Sequence, residues 1–180
     1  MNFSDISANF AEEAIKHLTA VGILKVYADG IFGSNKKITR AEFTIMTKRA
    51  LRYKNSSAYV QALKDFAENA WYAEELLTTL DSGITKGFTN KMYRPDVFIL
   101  REQAAVMIAN VLKKNNFHPT LGEQIFKDDK DIASWANSSV YLLKSHKIVQ
   151  GQNNFFYPKR EVTRAEAAMM IYRMLTVLNK

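Results

Sequence analysis

Ile38-Thr39-Arg40-Ala41-Glu42 returns as Val162-Thr163-Arg164-Ala165-Glu166 and, more loosely, as Ile99-Leu100-Arg101-Glu102-Gln103. The three arginines recur at a spacing of about sixty residues, and a near-constant period of that length marks a repeat protein. Thr-x-x-Glu ahead of an apolar run is a capping box. The Thr hydroxyl accepts the backbone N–H of the third helical residue, and the Glu carboxylate accepts the Thr N–H. Thr39 with Glu42, and Thr163 with Glu166, are therefore predicted to start helices; Leu100 and Gln103 make a weaker cap in the middle copy. Arg40 and Arg164 then occupy the first helical position, where the macrodipole disfavours a cation by roughly 0.3–1 kcal/mol. A cation kept three times where the dipole opposes it points to a shared job. The simplest is holding an anion between a guanidinium fork and free backbone N–H groups. At one position alone, an ion pair with a nearby carboxylate is the more ordinary explanation; repetition favours the anion.

Working outward, each copy reads as helix, loop, helix, with boundaries at 1–57, 58–116 and 117–180. In the first, apolar residues at helical spacing predict a helix over about 9–20, ended by Gly22 as a left-handed cap. Asp29-Gly30 and Ser34-Asn35 read as turns, with a short extended piece around Ile31-Phe32. In the second, helices are predicted over about 70–80 and 102–113, and in the third over about 134–145 and from Thr163 onward. Phe3-Ser4-Asp5, Leu63-Lys64-Asp65 and Phe126-Lys127-Asp128 open the copies in parallel. Lys147-Ile148 stands where the other copies have Gly22-Ile23 and Gly83-Ile84. The last helices of the second and third copies are apolar on most sides, which places them in a buried centre.

Composition narrows the function classes only partly. The chain has 180 residues, 47% of them hydrophobic and 24% charged, as in an ordinary globular protein. A net charge of +7 favours polyanionic partners without choosing among nucleic acid, lipid and polysaccharide. No run of about eighteen apolar residues predicts a membrane span. The first residues lack the basic and apolar regions of a signal peptide, which leaves a cytoplasmic protein or the mature part of an exported one. His17, His118 and His146 fall in non-equivalent places, cysteine is absent and there is no Gly-rich phosphate loop, so neither an enzyme nor a cofactor is expected. Asp128-Asp129-Lys130-Asp131 superficially suggests calcium. The Gly and Glu that an EF-hand needs downstream are missing, so no metal is expected. The basic residues are spread out and match no nucleic-acid signature.

The Trp135-Ala136 step, Gly-Ile before the loop, the aromatic and Pro of Tyr93-Arg94-Pro95 and Tyr157-Pro158, and the Thr-Arg-Ala-Glu helix start together resemble surface-layer homology (SLH) repeats, in three copies covering nearly the whole chain. The resemblance implies a mainly α fold. Three helix-loop-helix repeats would form a pseudo-threefold unit with a central three-helix bundle and three prongs. It also implies a monomeric, non-catalytic module at the bacterial cell surface. Its partner would be a secondary cell-wall polysaccharide, often carrying a pyruvate ketal, bound in the grooves between prongs. The family's arginine carries over to Arg40 and Arg164, and less directly to Arg101. A guanidinium suits the ketal carboxylate. Trp71 and Trp135 are candidates to stack on sugar faces or, equally, to pack as core residues, and Asp29-Gly30 to touch hydroxyls. Phe10 takes the place of Trp in the first copy. The Arg40 groove reads as the most intact. The rival is a structural or protein-binding module in which the arginines pair with carboxylates of adjacent repeats. Arg40→Ala is expected to leave thermal stability nearly unchanged in the anchor and to lower it in the rival.

Overall fold

The computed structural model describes residues 3, 5–25, 30–56, 63–120 and 125–179. Asp29 lies outside them. The described residues form six α-helices: α1 (Glu12–Ala20), α2 (Arg40–Leu51), α3 (Ala73–Asp81), α4 (Arg101–Lys114), α5 (Ser134–Ser145) and α6 (Arg164–Val177). A 3-10 turn spans Asp129–Asp131, and no strand longer than an isolated bridge is present among them.

Each second helix starts on its arginine. Thr39 Oγ1 accepts the Glu42 N–H at 3.2 Å while Glu42 accepts the Thr39 N–H at 2.7 Å, and Thr163 with Glu166 does the same at 3.2 and 3.0 Å. Leu100 has no acceptor to offer, so only half of the box is made there, from the Leu100 N–H to Gln103 Oε1 at 3.3 Å. The first helices of the first two copies begin later than periodicity predicts, at Glu12 and Ala73, while α5 spans Ser134–Ser145 as expected. Asn9 Oδ1 takes the Ala11 N–H at 2.9 Å, and this local turn competes with the helix that would otherwise start there.

The helices interlock across repeat boundaries. α2, α4 and α6 touch one another pairwise at the centre, while α3 packs on α2, α5 on α4 and α1 on α6. The first helix of each copy thus lies on the second helix of the copy before it, and the ends of the chain meet. Alanines keep the centre close. Ala104, Ala105, Ala109, Ala167 and Ala168 are fully buried beside Ile108, Ile171 and Met174.

The bridges that join the copies lie farther along than Ile31-Phe32, just ahead of each second helix. Ile38 N–H donates to Val162 C=O at 3.1 Å, Val162 N–H to Ile99 C=O at 3.0 Å, and Ile99 N–H to Ile38 C=O at 3.1 Å. The three β-branched side chains are fully buried, and β-branching favours the extended backbone that the ring requires. A one-residue segment per copy has no period of its own, so the sequence pattern does not announce it. The three capping residues that follow are extended as well, with ψ between 152° and 164°.

The loops are clamped by the opening aspartates. Asp5 accepts the N–H groups of Phe32 and Gly33 at 2.8 and 2.7 Å, Asp65 those of Tyr93 and Arg94 at 2.7 and 2.6 Å, and Asp128 those of Phe156 and Tyr157 at 2.8 and 2.7 Å. The second residue of each pair is left-handed, at φ 75°, 59° and 58°. Asp128 therefore serves the loop, and Asp129 accepts from Asn137 and Tyr141. No group of three or more metal-binding side chains is found among the described residues.

Two substitutions test this arrangement. Lys147 is exposed and left-handed at φ 58° where the other copies place Gly22 and Gly83, so Lys147→Gly should stabilise the fold by about 1 kcal/mol in urea unfolding. Ile99→Ala should destabilise it by about 2–5 kcal/mol in the same assay, because the side chain is fully buried in the ring.

Candidate functional site: grooves headed by the helix-start arginines

The backbone N–H groups at the helix starts are already used, which corrects the expectation that they are free for an anion. Arg40 and Ala41 donate to the carbonyls of Val97 and Pro95, Arg101 and Glu102 to those of Arg160 and Pro158, and Arg164 and Ala165 to those of Lys36 and Ser34. Each helix start is thus capped by the loop of another copy. What remains for a ligand is side chains.

Each guanidinium lies over the aromatic ring that the aspartate clamp holds in the next copy. The guanidinium carbon of Arg40 is 4.6 Å from the Tyr93 ring centroid, that of Arg101 5.1 Å from Phe156, and that of Arg164 4.7 Å from Phe32. Cation–π contact of this kind is worth about 0.5–2 kcal/mol. Arg101 and Arg164 also donate from Nε to the carbonyls of Phe156 and Phe32, at 2.9 and 2.8 Å. Arg40 differs. Its Nη2 reaches Lys86 C=O at 2.8 Å and Thr85 Oγ1 at 3.4 Å, while its buried Nε has no acceptor.

The Arg40 side chain heads an open groove of about 350 Å³. The loop Thr85 to Thr89 forms one wall, Gln103, Val106, Met107 and Asn110 of α4 form another, and Trp135 of α5 closes it. Three copies contribute: the arginine from the first, loop and helix from the second, the indole from the third. Trp135 is 57% exposed, which removes the core-packing alternative for it. Its place is set from below, because Glu102, 2% exposed, accepts the Ala133 N–H at 3.1 Å just ahead of α5. Burial pushes the Arg40 pKa below its ordinary value; Tyr93 opposes the shift and Arg94 adds to it. An arginine stays charged regardless.

A second groove, of about 530 Å³, is built by the same rule. Arg101 comes from the second copy, the loop Ile148 to Gln152 with Glu166, Met169, Met170 and Arg173 of α6 from the third, and Phe10 from the first. Phe10 is 64% exposed, so the residue standing in for Trp keeps the same outward position. Here a carboxylate is present. Arg101 Nη1 lies 3.3 Å from Glu166 Oε1, and Arg160 pairs with the same oxygen. Gly151 is required, since it is left-handed at φ 75° and a Cβ would stand 2.5 Å from Phe155 C=O.

The remaining sequence-derived candidates are not gathered with these. Arg164 Nη2 donates to Lys25 C=O at 2.9 Å, next to residues outside the described set. Trp71 is 63% exposed and meets Tyr72 edge-on at 5.6 Å. Gly30 is exposed and left-handed at φ 76°, which a turn explains by itself. Gln103, read from sequence only as a cap, lines the Arg40 groove. The aromatic-and-Pro step in the sequence singles out Tyr93 but points to Tyr157 instead of Phe156 and passes over Phe32. All three platforms fall eight residues ahead of an arginine, a spacing that could have found them but names the wrong partner, since each ring receives the arginine of the preceding copy.

The fold and the grooves define a class before any comparison: a helical repeat module whose clefts combine a buried cation with exposed aromatics. The chain belongs to the S-layer homology domain family, which matches residues 2–44, 62–105 and 125–168. It is 36% identical over 176 residues to an amylopullulanase of Thermoanaerobacterium thermosulfurigenes, covering 96% of this chain and 9% of that one. It is 34% identical over 182 residues to the exoglucanase XynX of Acetivibrio thermocellus, covering 99% and 17%. A cellulosome-anchoring protein of Acetivibrio thermocellus is 28% identical over 156 residues, covering 82% and 34%. The chain thus spans less than a fifth of either of these two enzymes.

Arg40 is only 7% exposed, stacked and hydrogen-bonded, which corrects the expectation that an anchor would keep its stability without it: its removal must disturb the fold whatever else it binds. Arg40→Ala should lower stability by about 1–3 kcal/mol, whereas Trp135→Ala should stay within about 0.5 kcal/mol of the parent in thermal unfolding. The clamp gives a pH signature. Burial tends to raise the Asp5 carboxyl pKa, but the N–H bonds from Phe32, Gly33 and Ser34 outweigh it and hold the pKa below its ordinary value. That stabilisation is present above about pH 4 and is lost as pH falls through the lowered value. Asp5→Asn should therefore destabilise at neutral pH and flatten the loss of stability on acidification, read as melting temperature against pH.

Proposed function

We propose that this chain is a non-catalytic wall anchor that holds an anionic, pyruvylated secondary cell-wall polysaccharide of bacteria in the grooves between repeats, at the cell surface. The observation that carries this is the Arg40 groove, where a buried cation with no carboxylate partner among the described residues faces an exposed indole across a cleft of sugar size. A ketal carboxylate meets the guanidinium, and a sugar face meets Trp135. The relatives support the reading. One is named an anchoring protein, and in two named for enzymes the matching segment is a small share of a longer chain, as expected of an attachment piece. On this reading the three repeats, 1–57, 58–116 and 117–180, act as one monomeric pseudo-threefold unit with three prongs. The closed ring of Ile38, Val162 and Ile99 supports that arrangement.

At Arg101 the structural rival has support of its own, since Glu166 already pairs with the guanidinium. The two roles divide between grooves.

The test is co-sedimentation of the purified chain with cell-wall sacculi, before and after the non-peptidoglycan polymer is chemically stripped. Binding should vanish on stripping, and Trp135→Ala should weaken it on the order of tenfold without loss of fold. Binding that survives stripping would assign the chain to peptidoglycan instead, and absence of binding would leave the protein-interaction role as the better account.

A further inference from the structure

The two described grooves differ in what the facing helix presents at its third position. Glu166 of α6 meets Arg101 at 3.3 Å and also holds Arg160. Gln103 of α4 stands in the corresponding place in the Arg40 groove, whose lining among the described residues contains no Asp or Glu. The linings do not differ in net charge, because the Arg101 groove adds Arg160 and Arg173 to its arginine. They differ in pairing. Arg173 donates to Ile148 C=O, and Glu166 engages the other two arginines. Arg40 is 93% buried by its 7% exposure, and its Nε is without an acceptor.

Resting on the anchor reading above, we propose that this third-position residue ranks the grooves. Gln103 leaves Arg40 open as the high-affinity carboxylate site, and Glu166 acts as a built-in counter-ion that makes the Arg101 groove the weaker one. An arriving carboxylate at Arg101 must displace Glu166 or sit beside it, and two carboxylates sharing one site repel. At Arg40 the guanidinium is already desolvated by the fold, so an anion gains its attraction without a competitor. The amide at position 103 suits this double duty. Its Oε1 still accepts the Leu100 N–H at 3.3 Å, keeping half of the helix cap while removing the charge. The departure of the second copy from the Thr-Arg-Ala-Glu pattern thus acts on the arginine of the first copy, because each arginine faces the helix of the next.

The test is a protein NMR titration with the methyl glycoside of a 4,6-pyruvylated N-acetylhexosamine, with its neutral methyl ester alongside. The Trp135 indole N–H reports the Arg40 groove and the Gly151 amide the Arg101 groove. In the parent, the Trp135 signal should saturate at a concentration on the order of tenfold lower than the Gly151 signal. Gln103→Glu should weaken the Trp135 response on the order of tenfold and leave Gly151 unchanged; Glu166→Gln should tighten the Gly151 response by a similar factor and leave Trp135 unchanged. Both variants keep a side-chain acceptor for the helix cap, and each tests the ranking independently. Parent binding at either groove that neither substitution alters would overturn the ranking while leaving the anchor intact. A parent that responds to the ester as strongly as to the acid, or to neither, would overturn the anchor reading and the ranking with it.

Discussion

The structure depends on the three-way exchange of backbone hydrogen bonds among Ile38, Val162 and Ile99. Each segment donates to one neighbour and accepts from the other, so no copy completes its pairing alone. The ring fixes where every second helix begins, and it brings the loop of another copy over each of those helix starts. The first two of the orphan N–H groups of α2, α4 and α6 are thereby satisfied between repeats. Nearest-neighbour stacking is the usual rule for repeat proteins; here the ends of the row are joined, and α1 packs on α6.

That same closure makes the grooves. An arginine at the first helical position cannot lie along its own helix and must project into the next copy, where the aspartate-clamped aromatic supports it. The first helical position is electrostatically poor for a cation, and the nearby N–H groups are occupied, so the compensation comes from ring faces and carbonyls. On the anchor proposal, structural and ligand roles coexist in one side chain. Arg40 is held by Tyr93 and Lys86 and still retains a free Nε, whereas Arg101 has its counter-ion within the protein.

Much of this was legible in the residues. The repeat period, the two full capping boxes and the buried character of α4 and α6 followed from spacing and side-chain chemistry, because each rests on contacts within a few residues. The ring, the aspartate clamps and the shifted pairing of arginine with aromatic did not, since all connect residues that are far apart in sequence or belong to different copies. The exposure of Trp135 and Phe10 was likewise hidden. An aromatic next to alanine at a helix start reads equally as core or surface until the neighbouring copy is in place. Gln103 shows the limit most clearly: as a local cap it looks like a weakened Glu, and only its position opposite Arg40 gives it a second meaning.

The central claim is that one ligand site is assembled from three repeats. Saturation transfer from the protons of purified wall polysaccharide to the amide- and methyl-labelled chain tests it most directly. The account predicts attenuation together at the Arg40 guanidinium N–H protons of the first repeat, at Thr85 to Thr89 and the Val106 and Met107 methyls of the second, and at the Trp135 indole of the third, surfaces that meet only in the folded module. Attenuation confined to a single repeat, or to a face away from these clefts, would contradict it.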